Sequence, residues 1–278
     1  MPPIRIVTDS TADLPEEIYQ QYGITKVPLK VVFGQEIFRD SIDMNIEEFY
    51  ARIARGEMST TSQPAPGEFA EVFQKLTSNG SQVLCLTLSS QMSGTYQSAC
   101  LAQNMVEGDV EVIDTRSATW GIGMMVMAAA RAAAEGKTKG EIKGLLHHLI
   151  AKMRFFFLVD SLDHLERGGR IGKAQAFLGT LLNIKPLLGV KDGTVHPYEK
   201  VRGKQKGIER LVQIVEQDTG GAEIVCTVLS GGDPAGREAL YQKISNRLHC
   251  RQTYLGDIGP VIGNHVGIGA CGIVYYTI

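Results

Sequence analysis

The chain has 278 residues, long enough for one large domain or two of ordinary size, and its 44% hydrophobic content supplies a substantial core, which excludes a disordered scaffold. With 28 basic and 30 acidic residues the formal charge is -2, so no global bias favours DNA, RNA or an anionic membrane surface. Any anion site must be local.

The opening Met1-Pro2-Pro3-Ile4-Arg5 passes into a strand pattern with no basic segment and apolar leader of secretory type. Residues 4–8 read as a buried first strand that ends in the loop Asp9-Ser10-Thr11-Ala12-Asp13, rich in hydroxyls and carboxylates. Asp13 with Glu16 three positions later predicts a capping box for the following helix. Residues 27–38 hold short β-prone runs, and 46–53 form an amphipathic helix. Residues 57–67 read as a polar loop restricted by prolines, with Pro66 near the start of a helix that runs to about Leu76.

The succession of strand, polar loop and helix returns at 83–88, with Ser89-Ser90-Gln91-Met92-Ser93-Gly94 and a helix through Ala102. It returns again at 110–114, with Thr115-Arg116-Ser117 and a helix over 120–134. Three such units predict an α/β fold with a mainly parallel sheet covered on both faces, and sites in the turns beyond the strand C-termini. The style then changes. A helix over 139–152 leads into an aromatic strand, and residues 160–170 alternate charged and aliphatic side chains before closing in glycines. Strands follow at 184–190 and, after the turn Lys191-Asp192-Gly193, through Tyr198. Helices at 205–217 and 234–247 alternate with strands at 223–229, 251–255 and 272–276. The change puts a boundary near residue 155, giving domains over 1–155 and 156–278 with a cleft expected between them.

Five cysteines, Cys85, Cys100, Cys226, Cys250 and Cys271, include no close pair that would suggest a zinc site or a redox dithiol. Cys85 and Cys226 lie in apolar strand-like runs and read as buried thiols. With no leader at the start, the expected compartment is the reducing cytoplasm. The most apolar stretch, 120–130, is too short to span a membrane, so stable membrane insertion is not expected.

Three segments bring hydroxyls or imidazole into predicted loops: Thr60-Thr61-Ser62-Gln63-Pro64, Ser89 through Thr95, and Asn264-His265-Val266-Gly267-Ile268-Gly269. A carboxylate or phosphate buried beside apolar surface needs several such donors, because an unpaired buried anion is costly. Taken singly, each keeps another reading. Thr61 and Ser62 suit a turn, Ser93 suits a helix cap, and His265 suits a satisfied structural histidine.

Several motifs, taken together, resemble the DegV family of fatty-acid-binding proteins. They are Val7-Thr8-Asp9-Ser10, Thr61-Ser62-Gln63-Pro64, the run Ser93-Gly94-Thr95-Tyr96-Gln97-Ser98-Ala99, Asp114-Thr115-Arg116, the run Leu165-Glu166-Arg167-Gly168-Gly169-Arg170-Ile171, Asn183-Ile184-Lys185-Pro186, and His265-Val266-Gly267-Ile268-Gly269. The resemblance runs over nearly the whole chain. It implies a two-domain DegV fold, in which a Rossmann-like N-terminal domain joins a second α/β domain that completes a lipid pocket. It also implies the role of carrier subunit of a bacterial fatty acid kinase, without a catalytic residue, cofactor or metal of its own. In that picture a long-chain fatty acid is held by its carboxylate at Thr61, Ser93 and His265 and presented to a separate ATP-dependent fatty acid kinase subunit. The acyl phosphate then passes to phospholipid synthesis, with an acyltransferase as a further partner.

The same resemblance assigns Arg170, with Arg167, to partner docking or phosphate guidance; the alternative is a solvated helix end with Glu166 pairing to Arg170 at i,i+4. Arg202, Lys204 and Lys206 form another local basic patch. Met92 stands where the family commonly has leucine, and Ile268 where it commonly has proline, which removes a restraint beside His265. At about 0.8 kcal/mol per buried methylene, a tail of roughly fifteen such groups gains on the order of 12 kcal/mol before ordering costs. Residues 121–130 are candidates to line it; the alternative is a helix buried all round in the core, which needs no ligand. The competing function is a stand-alone serine hydrolase using Ser93 and His265. It lacks a Gly-x-Ser-x-Gly elbow and an identified acid for the histidine. Gly168-Gly169-Arg170-Ile171-Gly172-Lys173-Ala174 lacks the spacing and terminal hydroxyl of a nucleotide-binding loop.

Overall fold

The computed structural model describes residues 2–179 and 183–278, which pack as two compact units. The first unit takes the chain up to Asp43 and again over Thr61–Ala151; the second takes Met44–Thr60 and Lys152–Ile278. In chain order the elements begin β1 (Ile4–Asp9), α1 (Glu16–Tyr22), β2 (Thr25–Val27), β3 (Lys30–Phe33), β4 (Glu36–Arg39), α2 (Ile46–Ala54), β5 (Thr60–Ser62), α3 (Pro66–Thr77) and β6 (Gln82–Thr87). Next come α4 (Thr95–Gln103), β7 (Val110–Asp114), α5 (Trp120–Ala134), α6 (Lys139–Lys152), β8 (Arg154–Leu158), α7 (Asp163–Arg167) and β9 (Ile184–Lys191). The chain ends with β10 (Thr194–Arg202), α8 (Lys204–Thr219), β11 (Ile224–Gly231), α9 (Pro234–Arg247), β12 (Cys250–Asp257), α10 (Pro260–Val266) and β13 (Ala270–Thr277).

The main sheet of the first unit has the order β2-β1-β6-β7 and is parallel throughout, as the repeated strand, loop and helix pattern predicts. Its inner strand β6 carries a continuous apolar run, 83–86, because both faces are covered. On one face Val7, Val83 and Cys85 pack with Phe69 and Phe73 of α3 and with Ala99 and Ala102 of α4. Burying each of those phenylalanines contributes about 1.5–3 kcal/mol. The helix α5, apolar on all sides, is buried on nearly all sides and packs against β1 and α1. Gly123 makes that approach possible, since a Cβ there would stand 2.7 Å from the Ala12 carbonyl oxygen.

The expected Asp13–Glu16 capping box is not formed. Asp9 instead caps a short 3-10 turn over Ser10–Ala12 by accepting from the Thr11 N–H at 2.9 Å. That turn leaves Asp13 left-handed at φ 52, and α1 starts after Pro15 with no side-chain cap. The small sheet β4-β3-β5 turns part of the expected 57–67 loop into strand. It leads through Pro64 to α3, whose start is closed by Glu68 accepting from the Ala65 N–H at 2.7 Å.

The second unit is built on a six-stranded sheet, β10-β9-β8-β13-β11-β12, in which only β11 and β12 run parallel. Asp192 (φ 51) and Gly193 (φ 78) both take the positive φ that a two-residue hairpin turn requires. Past a bulge at Tyr198 the pairing resumes, so β10 continues to Arg202 beyond its predicted end. Leu158, Leu187, Leu211, Val228, Ile273 and Tyr275 belong to the core that joins the sheet to α8 and α9.

A single cut at residue 155 would assign residues 44–60 to the first domain, but their contacts lie in the second unit. Phe49 and Tyr50 of α2 press on Gly263 of α10, where an added Cβ would lie 2.7 Å from the Tyr50 hydroxyl oxygen. That hydroxyl donates to the Ile258 carbonyl at 3.0 Å. Among the described residues no helix is long and apolar enough to cross a membrane.

Candidate functional site

In the first unit the polar loops beyond β1, β6 and β7 are knitted together by two aspartates. Asp9, fully buried, accepts from the Thr11 N–H and hydroxyl through Oδ1 and from the Leu88 N–H at 2.7 Å through Oδ2. This ties the end of β1 to the end of β6. Burial raises its pKa to about 6, against the lowering effect of those three donors. Asp114, closing β7, accepts from the Ser90 and Arg116 N–H groups at 3.2 and 2.9 Å, and from the Ser90 hydroxyl.

Ser93 and Thr61 both belong to this unit and are half-buried. The Ser93 Oγ stands 2.9 Å from Thr95 Oγ1 and accepts from the Thr95 N–H at 3.3 Å, so it supports the start of α4. Gln63, two residues past Thr61, lies across Gly94. A Cβ there would stand 2.3 Å from Gln63 Oε1, and Gln63 Nε2 donates to Ser98 at 3.0 Å. The fold therefore joins the Thr61 loop to the Ser93 loop through a glycine that leaves room for the glutamine. Thr119, just before α5, is fully buried at φ 48, ψ -137, a conformation that costs a side chain about 1–3 kcal/mol. Among the described residues its hydroxyl has no hydrogen-bond partner.

The second unit holds His265, Arg167 and Arg170. His265 lies in the last turn of α10 rather than in the expected loop, and it is only 9% exposed. Burial is the main cause that lowers its pKa to about 4, with Arg170 and His164 adding to the effect. Its neutral ring fits against Gly168, where a Cβ would stand 2.2 Å from Nδ1. Reciprocally, a Cβ at Gly267 would stand 2.7 Å from His164 Cδ2. The two glycine motifs interlock around two histidines.

His164 Nδ1 is 3.2 Å from the Asn264 carbonyl and 3.1 Å from Arg167 Nη2, so its tautomer decides whether it donates to the first or accepts from the second. Arg170 Nη1 donates to the Gly168 carbonyl at 2.7 Å. The helix α7 ends at Arg167, so Glu166 and Arg170 do not share the helical face that i,i+4 pairing needs. Of the other basic patch, Lys204 pairs with Asp233 at 2.7 Å and donates to the Gly269 carbonyl at 2.8 Å. That contact restrains the loop that carries Ile268.

The second unit also contains a cavity of about 640 Å³ whose lining includes Asp163, Glu166, Phe177, Ile184 and Pro186. Among the described residues no group of three or more His, Cys, Asp or Glu side chains is placed to hold a metal ion. Sequence reasoning passed over the supports: Gln63, Gly94, Gly168 and Gly267 sit inside the quoted motifs, but only the packing reveals what each glycine accommodates. Thr119 carried no sequence signal at all, since threonine is not expected at positive φ.

A family model described as an uncharacterised protein of the DegV family matches residues 3–277. A DegV domain-containing protein of Caldanaerobacter subterraneus is 37% identical over 99% of both chains. Among solved structures, a fatty-acid-binding DegV-family protein of Thermus thermophilus superposes with a TM-score of 0.94 at 37% identity, covering 99% of this chain and 100% of that one. DegV, a fatty acid binding protein from Bacillus subtilis, gives 0.90 at 33% identity over all of both chains.

Proposed function

The chain belongs to the DegV family, and from that premise we propose that it binds a long-chain fatty acid by its carboxylate and carries it for another protein to use. The observation that carries this reading is the fold shared with fatty-acid-binding relatives, and it is supported by the residues that the resemblance gives as carboxylate ligands: two half-buried hydroxyls, Thr61 and Ser93, in the first unit and a buried neutral imidazole, His265, in the second. Hydroxyl and imidazole N–H groups donate to an anion without a fixed positive charge in the site. Within the second unit Ser59 donates to Asn264, the neighbour of His265, at 2.7 Å, which supports an ordered setting for the histidine.

A histidine held near pKa 4 is a weak base, poorly matched to removing a serine proton at neutral pH, and this disfavours the hydrolase alternative. Purified protein is expected to retain one long-chain fatty acid in native mass spectrometry. Thr61→Ala, Ser93→Ala and His265→Ala should each weaken oleic acid binding about tenfold, the loss expected for one hydrogen bond to a charged group. Protein that neither retains nor accepts any fatty acid, or three variants with unchanged affinity, rejects the reading.

The acceptor of the carried lipid, on this reading, is an ATP-dependent fatty acid kinase, with the acyl phosphate passing to an acyltransferase. Arg170, exposed and close enough to His265 to lower its pKa, and Arg167, exposed beside His164, suit a docking role because an exposed guanidinium can meet phosphate or carboxylate on a partner. Arg170→Ala is therefore expected to lower kinase-coupled acyl phosphate formation about tenfold or more while oleic acid affinity changes less than twofold. Equal rates for wild type and variant across carrier concentrations would remove Arg170 from that role.

A further inference from the structure

Cys226 and Cys250 stand 24 positions apart in the chain, and the second unit brings them side by side. Cys226 lies in β11, and Cys250 opens β12, the parallel neighbour at the edge of the sheet. Ile224 faces Cys250; the register then shifts, so that Cys226 faces Thr253. The two side chains meet across this irregularity. The sulfurs are 3.9 Å apart, and Cys226 Sγ lies 3.6 Å from Thr253 Oγ1. Cys226 is buried, whereas Cys250 is partly open to solvent.

We propose that Cys250 and Cys226 form a redox pair in which a hydroperoxide oxidises Cys250 and Cys226 resolves the product to an intramolecular disulfide. The division of labour follows from exposure and hydrogen bonding. Cys250 can be reached from solvent, and bonds from Cys226 and Thr253 favour its thiolate, holding its pKa near 7 against the opposing effect of burial. The Cys226 thiol is pushed up by its bond to Cys250 and by burial, so it remains protonated.

In the first step the Cys250 thiolate attacks the terminal peroxide oxygen. An S–O bond forms, the O–O bond breaks, and proton uptake releases an alcohol or water, leaving a sulfenic acid. In the second step Cys226 attacks the sulfenic sulfur. The S–S bond forms, the S–O bond breaks, and the hydroxyl departs as water with the Cys226 proton. Two thiols are oxidised and one hydroperoxide is reduced. Closing the sulfurs to a disulfide of about 2.05 Å requires the start of β12 to move toward β11, and as an edge strand it has no further strand to break from. The pair does not depend on the fatty-acid reading.

The test treats reduced full-length protein with hydrogen peroxide and maps its peptides without reduction. The expected result is loss of two of the five free thiols and a Cys226–Cys250 cross-linked peptide, reversed by dithiothreitol. Cys226→Ser should stop at a Cys250 sulfenic acid captured by dimedone. Should that variant fail to fold, iodoacetamide alkylation of the wild type over about pH 5 to 10 serves instead, with Cys250 expected to react first and with a midpoint near 7. A different cross-link, Cys250 passing to sulfinic acid without one, or Cys100 reacting before Cys250 overturns the proposal.

Discussion

On the fatty-acid reading, Gly168→Ala is expected to weaken fatty-acid binding about tenfold, as much as His265→Ala, while the second unit stays folded. Gly168 has φ -75 and ψ -8, a conformation open to alanine, so the backbone itself resists nothing. The added methyl would stand 2.2 Å from His265 Nδ1 and 2.9 Å from its Cε1, and the imidazole must turn away. The displaced ring loses its hydrogen bond to the carboxylate, worth about 1.5 kcal/mol, while any rotamer strain is present with and without ligand and drops out of the affinity. That loss of about 1.5 kcal/mol gives the stated factor. Calorimetric titration with oleic acid measures it. Because the methyl acts through the ring, Gly168→Ala combined with His265→Ala should bind no more weakly than His265→Ala alone. Additive losses in the double variant, or no loss in the single one, would falsify this role for the glycine.

The second large effect is on stability as a function of pH, and it comes from Asp9. Its folded pKa, raised to about 6, lies above the 3.8 of a free aspartate. Between those values the native state holds a proton that the unfolded chain has lost. Stability from this group is therefore fully present below about pH 4, falls as pH rises toward 6, and is constant above. A gap of about two pKa units corresponds to about 3 kcal/mol. Urea unfolding of wild type and Asp9→Asn from pH 4 to 7 should show the wild type losing about 3 kcal/mol relative to the variant over that window. A difference that stays flat with pH would mean that the carboxyl ionises as easily in the fold as outside it.

The predicted helices over 120–134, 139–152 and 234–247 agree with α5, α6 and α9, and the parallel sheet of the first unit was legible in its three repeated strand-to-helix units. Those features are local: a long apolar run, a proline at a helix start and polar turns at fixed intervals. What was not legible depended on distant partners. Asp13 satisfied a capping pattern, yet Asp9 took the hydrogen bond that set the turn. The short helix α10 went unseen because its apolar residues bury against Phe49 and Tyr50, some two hundred positions earlier, and not in a periodic face of its own.

The sequence by itself determined the fold class and the chemistry available in this protein: loops of hydroxyls after parallel strands, a histidine among glycines, and no fixed cation required to meet an anion. Only the tertiary structure decided what those groups rest on. It set Gln63 over Gly94, fitted His265 into the space left by Gly168, and returned residues 44–60 to the second unit. It also turned two cysteines that looked unrelated into neighbours at 3.9 Å. The physical reason is common to all four. Periodicity and turn chemistry are encoded by residues within a few positions, whereas burial, close approach and pKa shifts depend on which surfaces meet after the chain has folded.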